Sequence, residues 1–516
     1  MLNRRQFSLA ALAAPLAARA QTKALSARIK IDTERVVGAI DPKIYGNFAE
    51  HLGRCIEGGI FEEGSPLADA HGYRKDVMTA IKDLSVTQMR WPGGNFASNY
   101  NWRDGIGPRD QRPARLEMAW ATTESNRFGT HEFLDYSEMM GFEPYVCANL
   151  GTGSMTEAQQ WVEYCNSSEP TAMVKLRKAN GRDKPWGVKY WGLGNEMDGP
   201  WQMGHRSAED YGKFALEAAK LMKWTDPTVQ LIAAGSSNFG GNADWVGWNR
   251  TVLQYLKDHI EYLSLHMYVG NAANDYYEFL ARSVDMDSKI KVAAGIIQST
   301  LATLGKHKPI YIAFDEWNVW YRARGNNSRG RGRNALEERY NLEDALSVAT
   351  MLNTFVNNAD TVKIANMAQI VNVIAPIFTD KKSLFLQTIY YPLQLFAANA
   401  RGMALQTFVD GPGYESKQLG KVGYLDVSCA YDKGKAVLNV VNRHLDQDIE
   451  IEVEAQDKSF RGRYAVATVN GPEIKAENDF GVTKVKTESH KESAGGHKLK
   501  YRVPAHSFVM IQADLA

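Results

Sequence analysis

Eight short apolar runs, each separated from the next by a longer stretch with helical periodicity, constrain this chain more than any other feature. They span residues 43–49, 86–91, 143–149, 188–193, 229–234, 260–265, 309–314 and 361–367. Strands that alternate with helices bury both their faces only by lying parallel under a helical cover. Between the runs, Val77, Ala80, Ile81 and Leu84 form one apolar helical stripe. Thr156 with Gln159 reads as a capping box, Ser207 with Asp210 as a helix start, and 343–356 as a helix ahead of the last run. Eight such units over roughly 350 residues predict a (β/α)8 barrel.

Beyond residue 400 the period shortens to two. Ile449, Ile451 and Val453 alternate with Glu450, Glu452 and Glu454, the pattern of a sheet with one wet face. Asp432-Lys433-Gly434-Lys435 reads as a hairpin turn, and 508–511 as a closing strand. The expected order is therefore a barrel over 43–400 and a jelly-roll-like β-sandwich over 401–516, which the segment 21–42 joins through a strand at 27–31.

The first twenty residues carry Arg4-Arg5, an apolar stretch from Phe7 to Ala18 and the small-residue site Ala18-Arg19-Ala20. That is the layout of an export signal of twin-arginine type, too short to span a membrane, and it predicts a periplasmic or secreted bacterial protein. Four cysteines without CxxC spacing (Cys55, Cys147, Cys165 and Cys429) do not make a disulfide scaffold. Eleven histidines without HExxH spacing call for no metal, and no cofactor motif is visible. A net charge of +1 gives no field that would gather nucleic acid or a membrane surface, so a neutral partner is expected. Arg322, Arg324, Arg329, Arg331 and Arg333 lie in a Gly- and Asn-rich segment, read as a loop at the rim of the site.

In a (β/α)8 barrel the chemistry sits where the strands end. Those positions hold Glu50, Asn95, Glu196, Ser236, His266 with Tyr268, Glu316 and Gln369. Two glutamates that follow the fourth and seventh runs fit the needs of glycosidic bond hydrolysis: one carboxyl protonates the leaving oxygen and another attacks or activates water. Asp198 and Asp315 flank them, and strict alternation would turn both away. His51, His205 and His266 read as structural hydrogen-bonding groups.

The segments GNFAEHLGRC (46–55), RWPGGNFASNYNWRDGIGP (90–108), YWGLGNEMDGPWQMGH (190–205) and FDEWNVWY (314–321) closely resemble glycoside hydrolase family 51, made mainly of α-L-arabinofuranosidases. The resemblance implies a retaining, exo-acting enzyme that releases terminal arabinofuranose, with Glu196 as acid/base and Glu316 as nucleophile. It further implies that Glu50, Asn95, Asn195, Tyr268 and Gln369 contact the sugar or position the catalytic groups, that Trp120 and Trp320 stand near the site, and that the chain forms a homo-oligomer, a hexamer. Such a mechanism asks for a raised pKa at Glu196. The same two glutamates would also serve an endo-glucanase, xylosidase or galactofuranosidase, and a barrel without activity would be a carbohydrate-binding protein.

Overall fold

The computed structural model describes residues 25–240, 244–304, 308–323, 332–493 and 497–516. Residues 1–20 and most of the Arg-rich segment lie outside them, so the export signal and that loop are not addressed by the structure.

The first strand, β1 (Leu25–Ala39), precedes eight parallel strands that close into a barrel in chain order: β2 (Gly46–Phe48), β3 (Gln88–Trp91), β4 (Glu143–Ala148), β5 (Tyr190–Leu193), β6 (Gln230–Ala233), β7 (Tyr262–Val269), β8 (Tyr311–Val319) and β9 (Val362–Ala368). Each lies on one of the eight apolar runs. The strand of the first run is short because Asp41 caps a single turn of 3-10 helix, Pro42–Tyr45, that begins with proline. The sixth and seventh strands run on past their apolar stretches, so His266, Tyr268 and Glu316 sit within strands rather than after them. The lower barrel interior is filled by Tyr145, Tyr190, Ile232, Tyr262, Ala313 and Ile364, a packed plug that leaves only the upper mouth for chemistry.

The helix start at Ser207 is as expected: its side chain accepts from the amide of Asp210. The capping box before Met155–Asn166 is corrected. Ser154 and Glu157 form it, each side chain accepting from the other's amide, whereas Thr156 lies inside the helix and Gln159 donates to Glu163 and Thr225. Ser154 has the extended backbone that a cap requires, which the wrong pair of residues could not supply.

The second layer is one continuous nine-stranded sheet. It contains β10 (Met403–Asp410), β11 (Leu425–Asp432), β12 (Lys435–Asn442), β13 (Ile449–Ala455), β14 (Phe460–Asn470), β15 (Lys486–Ser493), β16 (Lys498–Val503) and β17 (Ser507–Leu515), in the order β15-β14-β17-β12-β11-β10-β1-β13-β16. The sheet folds over its own apolar face, on which Ile29, Ile31, Ile449, Ile451, Val453, Leu499 and Ile511 are buried. The Tyr464 hydroxyl of β14 donates to the carbonyl of Lys500 on β16 (3.0 Å), joining strands from opposite ends of the order. The β11–β12 turn has Lys433 and Gly434 both at positive φ (48° and 84°), the geometry of a two-residue hairpin.

Helix Leu342–Asn357 locks the two layers together. It is buried on every side except at its last residue, as a helix between two sheets must be. Asn353 donates to Asp426 (2.7 Å) and accepts from Ser428 (2.6 Å), and Asn357 donates to the Val427 carbonyl (2.9 Å), so its polar groups are spent on the sandwich. All four cysteines are buried and free. Among the described residues no helix is long and apolar enough to cross a membrane.

Candidate active site

Glu196 leaves the fourth barrel strand through Gly194 and Asn195 and takes a left-handed backbone (φ 45°), a conformation that costs about 1–2 kcal/mol for a side-chain-bearing residue. That turn aims its carboxyl back over the barrel. Glu316 comes from β8, where the pairing with both neighbouring strands slips between Ala313 and Trp317. The slip is a bulge, and it turns Asp315 inward alongside Glu316. Alternation had placed Asp315 away from the site; the bulge corrects that reading. Asp198 does face elsewhere, accepting from the amide and hydroxyl of Ser237.

Ligand-bearing atoms of Glu196, His266 and Glu316 all lie within 4.8 Å of one another. His266 is the hub. Its Nδ1 stands 3.0 Å from Glu196 Oε1 and 3.6 Å from Glu316 Oε2, and its Nε2 3.2 Å from Asp315 Oδ1. Burial works against a charged ring, but Glu316, Asp315 and Glu196 outweigh it and raise the imidazolium to about 10. Protonated on both nitrogens, the imidazole donates to the carboxylates on either side, a hydrogen-bonded ion cluster. Burial would raise Asp315, yet Arg90, His266 and Ser264 bring it down to about 2.

Arg90, fully inside β3, forks between two site residues: Nη1 donates to Glu316 Oε1 (2.6 Å) and Nη2 to Asn195 Oδ1 (2.6 Å). The Tyr268 hydroxyl donates to Glu316 Oε2 (2.8 Å), so both oxygens of that carboxylate are held. Glu196 is raised above the usual carboxylate range, first by burial and then by Glu316, while its bonds from His266 and Trp201 pull the other way.

Beside this cluster, Glu50 accepts from the Phe96 amide (3.0 Å), Trp120 Nε1 (3.0 Å) and Gln369 Nε2 (2.8 Å). Burial pushes its carboxyl up to about 8, against the pull of the Phe96 amide. Gln369 Oε1 is buried without a protein partner. Asn95 is half-buried and opens the turn whose next amide binds Glu50. The Trp320 ring stands edge-on to Tyr268, with centroids 5.3 Å apart. Glu50, Asn95, Asn195, Tyr268, Gln369, Trp120 and Trp320 are thus gathered with the two glutamates around one mouth. Ser236 is not among them, since its hydroxyl donates to the Trp245 carbonyl. His51 bridges Trp91 and Glu124 and holds the hairpin that carries Trp120.

Two family models match the chain: an alpha-L-arabinofuranosidase 1 domain over residues 80–287 and an alpha-L-arabinofuranosidase C-terminal domain over 315–507. An intracellular exo-alpha-(1->5)-L-arabinofuranosidase 1 of Bacillus subtilis is 41% identical, over 91% of this chain and 95% of its own. The chain belongs to the α-L-arabinofuranosidases of glycoside hydrolase family 51. An arabinose-complexed α-L-arabinofuranosidase from Thermotoga maritima superimposes with a TM-score of 0.86 at 36% identity, covering 95% of this chain and 100% of that one. A family 51 enzyme from Bifidobacterium longum gives 0.88 at 31% identity, with the same coverage. Membership makes the chain a glycoside hydrolase acting on arabinofuranosides.

Arg90 and Asp315 escape the reading of the sequence as strand ends, and His266, which stands on it, is read there as a structural group. Arg90 lies in the middle of an apolar strand, where the signal is the charge itself: a buried guanidinium demands a buried anion. His266 and Tyr268 share a strand face at i and i+2, a pairing that the assignment of His266 to structure passed over. Asp315 needs the bulge, which no periodicity announces.

Proposed function

We propose that this arabinofuranosidase is exo-acting and retaining, with Glu316 as nucleophile and Glu196 as the acid that later serves as base. The observation that carries the reading is the close approach of the two carboxyls, an oxygen of one lying within 4.8 Å of an oxygen of the other. Retaining glycosidases keep them about 5–5.5 Å apart, whereas inverting enzymes need several ångströms more for a water. In the first half, Glu316 attacks the anomeric carbon, the bond to the leaving oxygen breaks, and that oxygen takes the proton of Glu196. In the second, Glu196 removes a proton from water, whose oxygen displaces Glu316. Arg90 and Tyr268 hold Glu316 in line, and Glu50, Asn95, Asn195 and Gln369 offer hydrogen bonds to one furanose ring.

Azide separates the two roles. Glu316→Ala should lose activity on every substrate. Glu196→Ala should still be glycosylated by aryl arabinofuranosides, and azide should turn it over to an α-arabinofuranosyl azide. Rescue of Glu316→Ala with inverted product, and none of Glu196→Ala, would reverse the assignment. Aryl β-xyloside, β-galactofuranoside and carboxymethylcellulose, run beside an aryl α-L-arabinofuranoside, test the rival specificities.

Export and assembly belong to the same proposal. Arg4-Arg5 ahead of an apolar run supports a twin-arginine route to the periplasm, while the intracellular name of the Bacillus relative favours the cytoplasm. Replacing both arginines with lysine should retain the protein inside, and unchanged export would reject the route. A homo-hexamer is expected from family membership; light scattering near 57.6 kDa would show a monomer instead.

A further inference from the structure

Among the described residues, Trp201 is the one side-chain partner of Glu196 that faces solvent. Its indole Nε1 donates to Glu196 Oε2 at 2.5 Å, while its surface is 47% exposed at the mouth of the site. The other oxygen, Oε1, faces inward to His266. The turn that carries the indole is pinned on both sides of it. Gly199 N donates to the Glu196 carbonyl (2.8 Å), and Gln202 accepts from Asn195 (3.3 Å) and donates to the Ser98 hydroxyl. The ring lies directly over Gly199, where a Cβ would come within 2.5 Å of it. The backbone is therefore fixed and the side chain stands half free.

An N–H bond to a carboxylate is charge-assisted and is weaker to the neutral acid, so Trp201 favours ionised Glu196. The double displacement asks opposite things of that carboxyl: a proton in the first half and a lone pair in the second. A leaving group that reaches Glu196 from the solvent side must come to Oε2, the oxygen that the indole occupies. We propose that Trp201 is a positioning residue that switches Glu196 from acid to base: the aglycone displaces the indole from Oε2 as it binds, and the indole returns once the aglycone departs. The proton passes from Oε2 to the glycosidic oxygen during the first half. The returning N–H then stabilises the carboxylate that accepts a proton from water. The other charged and titratable groups facing Glu196 are His266 and Tyr268 from β7 and Glu316 from β8.

This inference rests on the assignment of Glu196 as acid/base, which azide rescue of Glu196→Ala tests separately and first. The pH profiles of three variants then test the switch. The basic limb of kcat/KM reports Glu196 in the free enzyme, and that of kcat reports it in the complex. Trp201→Phe keeps an aromatic face without the N–H, and Trp201→Ala removes both. Gly199→Ala keeps Trp201 but pushes the ring off the carboxyl. All three should move the basic limb of kcat/KM upward by about half a pH unit or more, a threefold or larger rise in proton affinity. The kcat limb, read after displacement, should move by less. Thermal melting confirms that each variant folds. A kcat/KM limb that stays in place, falls, or moves equally with the kcat limb would overturn the switch, as would a shift in Trp201→Ala without one in Trp201→Phe.

Discussion

Asp315 and Glu316 are adjacent in the chain, yet their carboxylates meet opposite sides of one imidazole, Asp315 at His266 Nε2 (3.2 Å) and Glu316 at Nδ1 (3.6 Å). The bulge in β8 makes this possible, and it places an ion pair under Glu316 where a regular strand would have put one carboxylate outside. Arg90 Nε, 3.7 Å from Asp315, completes the floor.

Asp315→Asn should leave the His266 and Arg90 cations short of one anion. Breaking one partner of a buried set costs about 3 kcal/mol, and kcat/KM should fall by roughly a hundredfold as the imidazole loses its fixed orientation. Asp315, held low, contributes stability above its ordinary pKa that is lost as pH falls toward about 2. His266, held high, contributes fully below about 6.5 and loses it as pH rises through about 10. Urea unfolding should therefore show the largest gap between wild type and variant from about pH 4 to 6.5.

Arg90→Lys keeps the charge and loses the fork. A single ammonium cannot reach both Glu316 and Asn195, which the guanidinium holds at 2.6 Å each. Steady-state kinetics should show kcat down by about a hundredfold with KM changed less than threefold, since the loss falls on the alignment of Glu316. A rise in KM alone would place Arg90 in ground-state binding.

Glu50→Gln tests a carboxyl that the fold prefers neutral. A carboxyl raised to about 8 costs wild-type stability as pH climbs from its ordinary value toward 8, because the unfolded chain releases that proton earlier. The amide has no proton to release. Between pH 5 and 9 the wild type should lose roughly 3–5 kcal/mol relative to the variant, at about 1.4 kcal/mol per unit. Denaturant midpoints at the two pH values measure it, and parallel curves would place Glu50 in the ordinary carboxylate range.

Debranched arabinan should release arabinose alone from the first minutes. Glu50, with three protein donors, sits beside Gln369, whose side-chain oxygen is buried without a protein partner, and a buried acceptor of that kind is satisfied by the hydroxyls of one terminal ring. A ladder of longer products would show an open cleft.

The barrel and the sandwich are legible because their periods differ. An apolar run followed by a helical stripe, and Ile449, Ile451 and Val453 alternating with glutamates, each allow one kind of element. Glu196 and Glu316 stand out through the motifs around them. Spacing alone sets the cap at Thr156, two residues past Ser154, because two Ser/Thr-x-x-Glu/Gln pairs overlap there and only backbone conformation separates them. Arg90, His266 and Asp315 are less legible because their roles lie between strands. A guanidinium in β3 finds its carboxylate in β8, and the slip that turns Asp315 inward arises from pairing, which a single chain read in order does not display.

Strand β1 has a consequence for how the molecule is made. It lies between β10 and β13, with Leu25 paired to Ile449, so a strand made before the barrel belongs in a layer whose other strands are made after it. The barrel can begin to collapse while translation continues, but the sandwich must recapture a strand from the far end of the chain. Such non-local pairing is slow, and a waiting β1, with Ile29 and Ile31 on one face, is an exposed template for other nascent chains. Yield during biosynthesis should depend on how well that segment is shielded until residue 455 has emerged, a demand set by topology that a measurement of equilibrium stability would not reveal.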